Sequence, residues 1–182
     1  MPRDTFQREL HAIQDDLLLL GSMAQQALAD SVEVLRTRDE VGAKRIIRGD
    51  QAINEKRFAI EADCLALIAT QQPMAGDLRT LAAVLEIVTE LERIGDYGKG
   101  IARISLLMGS GPLLKPLVDI PRMEQKAVDM LRRALDAFIR RDVALARAIP
   151  LEDAEVDALY NQIYRELLTY MTADPRTIDR AT

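Results

Sequence analysis

The chain has 182 residues, of which 48% are hydrophobic and 29% charged, a composition typical of a packed globular protein. It excludes collagen-like and linker-dominated classes. A net charge of -5 at pH 7 argues against broad attraction to nucleic acid or anionic lipid. One cysteine, Cys64, cannot form an intramolecular disulfide, and one histidine, His11, leaves little scope for imidazole chemistry.

The chain shows no sequence signal for membrane insertion or secretion. No apolar stretch approaches the ~18 residues that a membrane-spanning helix needs. The first ten residues also lack the apolar core of a signal peptide. We therefore expect a cytoplasmic protein with no membrane insertion and no nucleic-acid partner.

Apolar residues recur at helical spacing along five segments that are separated by short breaks. In chain order, these predicted helices cover about 5–36, 39–70, 77–107, 121–140 and 142–171. Asp39 and Asp77 are expected to cap the second and third helices, and Pro73 to end the second. Long helices joined by short turns predict an all-α protein built from up-down antiparallel bundles.

The two halves of the chain resemble each other. Residues 38–54 align without gaps on residues 141–157, an offset of 103 positions. The identical positions are Arg38, Asp39, Ala43, Ile46 and Asp50, which recur as Arg141, Asp142, Ala146, Ile149 and Asp153. This repeat predicts two tandem three-helix bundles, at 1–109 and 118–182, joined by a glycine- and proline-rich linker at 110–117.

Polar residues one helical turn apart suggest a cation site in the first bundle. Asp50 and Asn54 lie on the second helix, and Glu92 and Asp96 lie on the third. In each of the pairs Asp50 with Asp96 and Asn54 with Glu92, the two residues are equidistant along the chain from Pro73. An antiparallel hairpin should therefore place the members of each pair at the same level. Oxygen donors alone favour hard cations such as Mg²⁺, Mn²⁺, Ca²⁺ or iron.

The second half carries only part of this pattern. Asp153 and Asp157 repeat the spacing of Asp50 and Asn54, but the repeat offset places their acidic partners beyond Thr182. We therefore expect the second bundle to be incomplete at its last helix, with an apolar groove along it. Either the second site is impaired, or another chain completes it.

Three segments of the first half form a recognisable set, namely Asp50 to Asn54, the sequence QPMAGDLR at 72–79, and LERIGD at 91–96. Together they closely resemble the PhoU family. In the second half, Glu152 to Tyr160 and LLTYM at 167–171 are similar to that family's second repeat. The resemblance implies metal ions on paired acidic motifs, with ligands that would be Asp50, Asn54, Glu92, Asp96, Asp153 and Asp157. It leaves the metal open among iron, zinc, magnesium, manganese and calcium.

The same resemblance implies a regulatory function without catalysis. The protein would restrain phosphate uptake and phosphate-starvation signalling by contacting the transporter ATPase subunit and a sensor histidine kinase, and it would form a homodimer. Two alternatives stay open, namely a carboxylate-bridged metalloenzyme and a purely structural helical scaffold. The enzyme is disfavoured because the sequence has no Glu-x-x-His motif of the kind that di-iron bundles use.

Overall fold

Seven helices account for most of the chain in the computed structural model, which describes residues 2–109 and 111–181. The first half consists of α1 (Pro2–Thr37), α2 (Glu40–Gln71) and α3 (Ala75–Met108). The second half contains α4 (Asp119–Arg140), α5 (Val143–Ala148), α6 (Asp153–Ala173) and α7 (Ile178–Ala181), with 3₁₀ turns at Ile149–Glu152 and Pro175–Thr177. No strand occurs in the described residues. The predicted all-α fold is confirmed.

Helices α1, α2 and α3 pack on one another as a three-helix bundle around an aliphatic core. The core faces arise from apolar residues three or four positions apart, such as Leu17 and Leu20 on α1, both fully buried. They meet Ile60 of α2 and Val88 of α3 in the same cluster. Each such side chain stabilises the fold by about 1.5–3 kcal/mol relative to its exposed state.

The ends of α2 and α3 follow different rules. Asp39 caps α2 as predicted, because its carboxylate accepts hydrogen bonds from the backbone N–H groups of Val41 and Gly42. The prediction that Asp77 caps α3 is wrong, since α3 already begins after Met74, which makes no side-chain cap. Asp77 lies instead in the first turn of α3, where the helix dipole favours a negative charge.

The predicted fifth helix is interrupted. Residues 142–171 form α5, a 3₁₀ turn and α6 rather than one continuous helix. Pro150 lies within the turn, and proline has no N–H to donate and clashes with the preceding helical turn. Asp142 caps α5 through the backbone N–H of Leu145 at 2.9 Å.

The second half packs directly on the first. Helix α4 contacts α1 as well as α6, and Leu135 of α4 belongs to the same core cluster as Leu17. A Cβ atom on Gly21 would overlap the Cδ1 atom of Leu135, so the leucine side chain packs over the open face of this glycine. The division into units at 1–109 and 118–182 stays a prediction.

The outer surface of α6 carries large side chains that no other helix covers. Tyr160, Tyr164 and Leu168 are all exposed on this helix. The apolar groove expected along the second half stays a prediction. None of the helices in the described part of the chain has the length and apolar character needed to cross a bilayer.

Helices α1 and α3 approach each other closely at Gly98. A Cβ atom there would lie 2.9 Å from the carbonyl oxygen of Ala27, which is backbone and cannot move aside cheaply. We expect Gly98→Ala to lower the free energy of unfolding by about 1–3 kcal/mol, because overpacking outweighs the better helix propensity of alanine. Urea unfolding followed by circular dichroism measures the change.

Gly100 provides the matched control on the same helix. Nothing lies within 4 Å of the position of its missing Cβ atom. Gly100→Ala should therefore raise the free energy of unfolding by up to about 1 kcal/mol. Stabilisation by both substitutions would contradict the close approach of α1 and α3 at Gly98.

Candidate functional site

The structure brings two of the predicted site residues to one ammonium group. Asp50 lies on α2 and is 7% exposed, whereas the side chain of Asp96 on α3 is half exposed. The Nζ atom of Lys99 lies 2.5 Å from Oδ2 of Asp50 and 3.2 Å from Oδ1 of Asp96. Lys99 thus joins α3 to α2 at the level that the hairpin register predicts for the two aspartates.

Asn54 turns towards its own helix. Its Nδ2 atom donates to the main-chain oxygen of Asp50 at 3.1 Å and to Oδ2 of Asp50 at 3.3 Å. Both of these hydrogen bonds go to Asp50, and the position of Asn54 opposite Glu92 stays a prediction. Oδ1 of Asp50 is buried and has no hydrogen-bond partner among the described residues, so the carboxylate is hydrogen-bonded at one oxygen only.

Glu92 lies beside this cluster and is partly buried. Burial is the main cause that raises the pKa of its carboxyl group, and the charge of Asp96 raises it further. The charge of Asp50 also raises the pKa of Glu92, whereas the guanidinium group of Arg57 on α2 lowers it. The Asp50 hydrogen bond raises the pKa of Lys99, so that side chain is positively charged at neutral pH.

Lys99 and Arg57 are the two site residues that the sequence prediction missed. Lys99 follows Asp96 by three positions, a spacing at which helical side chains meet. That spacing was therefore a usable signal. The contact of Lys99 with Asp50 lies between two helices, so no fixed spacing in the sequence predicts it.

The residues as arranged do not fit a metal ion. Within the described residues, no three acidic, histidine or cysteine side chains converge on a point that could hold one. The unpartnered Oδ1 of Asp50 would accept a cation, but Lys99 already lies between Asp50 and Asp96. An ammonium and a divalent ion at the same position repel each other. Metal binding by Asp50, Asn54, Glu92 and Asp96 stays a prediction that requires Lys99 to move.

The second predicted pair, Asp153 and Asp157, is exposed at the start of α6. The neighbouring acids form ion pairs with α4, since Glu152 accepts two hydrogen bonds of 2.7 Å from Arg133 and Glu155 pairs with Lys126. These pairs attach the 3₁₀ turn and α6 to α4 without involving either aspartate. A metal role for Asp153 and Asp157 also stays a prediction.

The raised pKa of Glu92 has a consequence for stability. Its ionised form is disfavoured in the folded protein, so the cost is absent below the unfolded-state pKa, grows as the pH rises from there, and is complete above the raised folded-state pKa. In a buffer with chelator, Glu92→Gln should raise the free energy of unfolding at pH 7 by about 0.5 kcal/mol, since solvent screens a partly exposed group. The gain should disappear below about pH 4.

Urea unfolding between these pH values tests this expectation. Glu86→Gln is the control, because Glu86 is an exposed acid on the same helix. A loss of stability at pH 7 in Glu92→Gln, relative to Glu86→Gln, would contradict the assignment of an unfavourable charge to Glu92.

Comparison with known proteins gives one consistent result. The model of the PhoU domain family matches residues 17–105 and 120–182. The chain is 36% identical to a protein of Aquifex aeolicus (strain VF5) named phosphate-specific transport system accessory protein PhoU homolog. That match covers 96% of this chain and 79% of the relative. Identity to the Escherichia coli (strain K12) accessory protein PhoU is 38%, over 95% of this chain and 72% of that protein.

Solved structures agree with the sequence comparisons. The crystal structure of PhoU from Pseudomonas aeruginosa superposes with a TM-score of 0.89 at 33% identity, covering 97% of this chain and 85% of that chain. The phosphate transport system regulatory protein PhoU from Streptococcus pneumoniae gives a TM-score of 0.85 at 29% identity, over 93% and 80% of the two chains. Matches of this extent in sequence and in fold show that the chain belongs to the PhoU family.

Proposed function

We propose that this protein is a regulatory accessory protein of phosphate transport that acts by binding other proteins. The observation that carries the proposal is the alignment of 95–96% of the chain with relatives whose names describe an accessory protein of the phosphate-specific transport system. That similarity extends across both halves of the chain. The proposal therefore concerns the whole described fold and not one isolated motif.

We further propose that the partners are the transporter ATPase subunit and a sensor histidine kinase, contacted at the cytoplasmic face. Exposed aromatic side chains on the first bundle support a role in protein binding. Phe58 of α2 and Tyr97 of α3 are both mostly exposed, and such residues are common anchors at interfaces. In this proposal the chain binds the transporter and the kinase and restrains both of them when phosphate is abundant. We also propose that the protein forms a homodimer.

The proposal assigns no catalytic step. The names of the relatives describe accessory and regulatory proteins, which supports a function by binding. The carboxylate-bridged metalloenzyme would need several acids around the metal, whereas Lys99 pairs with two of them here. A scaffold without regulatory function would leave phosphate-starvation signalling unchanged, so an expression reporter separates it from the proposed regulator.

The test is complementation in a bacterium that lacks its own PhoU-family protein and carries a phosphate-starvation reporter. We expect the chain to restore repression at high phosphate and to retain the transporter ATPase in a pull-down. Leu17→Asp places a charge at a fully buried position and should abolish both effects. Leu19→Asp is the matched control, since Leu19 is half exposed on the same helix, and it should retain both effects.

Two results would contradict the proposed regulation. One is a folded wild-type chain that neither represses the reporter nor retains the ATPase. The other is full repression by Leu17→Asp after circular dichroism has shown that this variant is unfolded. Circular dichroism of all three purified proteins therefore accompanies the reporter assay.

A further inference from the structure

We propose that Lys99 is the resident counter-ion of the carboxylate cluster Asp50, Glu92 and Asp96, and that its ammonium group competes with divalent cations for this site. The cluster lies between α2 and α3. Lys99 supplies the positive charge from within the chain at the place where a metal ion would lie.

The contacts of Lys99 are those of a structural counter-ion. Its Nζ atom is at hydrogen-bond distance from carboxylates on two helices, 2.5 Å from Asp50 and 3.2 Å from Asp96. The side chain of Lys99 is 22% exposed and that of Asp50 is 8% exposed, so much of the pair is shielded from solvent. A charge-assisted hydrogen bond of this kind is short and strong.

Lys99 neutralises part of the negative charge of the cluster without a metal. Its ammonium group pairs with Asp50 and Asp96, while the guanidinium group of Arg57, which itself pairs with Glu61 at 2.9 Å, also acts on Glu92. A divalent cation bound between Asp50 and Asp96 would lie next to the Lys99 ammonium group in a partly buried place. Two positive groups held by the same carboxylates repel each other more strongly there than in bulk water.

Asn54 strengthens the same conclusion. An acid at this position would add a negative charge next to Asp50, but the Asn54 side chain donates to Oδ2 of Asp50 instead. Lys99 donates to the same oxygen. At least one of the two donors would have to leave before Oδ2 of Asp50 could bind a metal ion, since together they occupy both lone-pair directions of that atom.

Removal of the ammonium group should open the site to a metal. Among the described residues, Oδ1 of Asp50 has no hydrogen-bond partner, and the side chain of Asp96 is 50% exposed. A cation could therefore reach Asp96 from solvent and take the place of the Lys99 ammonium group next to Asp50. Lys99→Met removes the charge and keeps a side chain of similar length, whereas Lys99→Arg keeps the charge.

The experiment is a titration of each purified protein with Mn²⁺, followed by electron paramagnetic resonance of the free ion. We expect Lys99→Met to bind Mn²⁺ roughly tenfold or more tightly than the wild type, and Lys99→Arg to resemble the wild type. Asp50→Asn introduced into Lys99→Met should remove the gain and so locate it at this site. Equal Mn²⁺ affinity of the wild type and Lys99→Met would overturn the proposal.

Thermal unfolding gives a second readout. The midpoint of Lys99→Met should fall in chelator and recover when Mn²⁺ is added, while the wild-type midpoint stays unchanged by Mn²⁺. If Lys99→Met does not fold, the metal content of the wild type decides the question. If the wild type binds Mn²⁺ and Asp50→Asn does not, the proposal is overturned. If neither the wild type nor Asp50→Asn binds Mn²⁺, the proposal is supported. These measurements do not depend on the regulatory role proposed above.

Discussion

A carboxylate buried between two helices must be neutralised, and the arrangement of α2 and α3 depends on how this protein does so. Asp50 is 7% exposed and would cost several kcal/mol if it were left charged and unpaired. Lys99 reaches it from α3 and contacts Asp96 as well. Because this contact requires one particular alignment of the two helices, the ion pair fixes their register as well as their charge balance.

The remainder of the bundle makes that alignment rigid. Gly98, the residue before Lys99, lies against the backbone of α1 at Ala27, so α3 is held at a short distance from α1. Aliphatic residues such as Leu17 fill the interior between the helices. A well-packed bundle of this kind presents a fixed surface, which suits a protein that acts by binding others. The proposed function thus uses the outside of the fold, and the ion pair preserves its shape.

Much of the fold could be predicted from the sequence because its determinants are local. Helical spacing of apolar residues predicted α1, α2 and α3, and Asp39 was recognised as a cap. The predicted fifth helix ran through Pro150, whose missing N–H group interrupts it in the structure. The site was predicted only in part. Equal chain distance from the turn placed Asp50 and Asp96 together, but it says nothing about a long side chain such as Lys99 that crosses between helices.

The charges of Asp50 and Lys99 stabilise the fold through each other. A double-mutant cycle with Asp50→Asn, Lys99→Met and the combined variant, measured by urea unfolding in chelator, tests this dependence. We expect a coupling free energy of roughly 1–3 kcal/mol, with the combined variant more stable than the sum of the two single-variant losses in free energy of unfolding would give. Losses that simply add, with coupling near zero, would show that the two charges do not depend on each other.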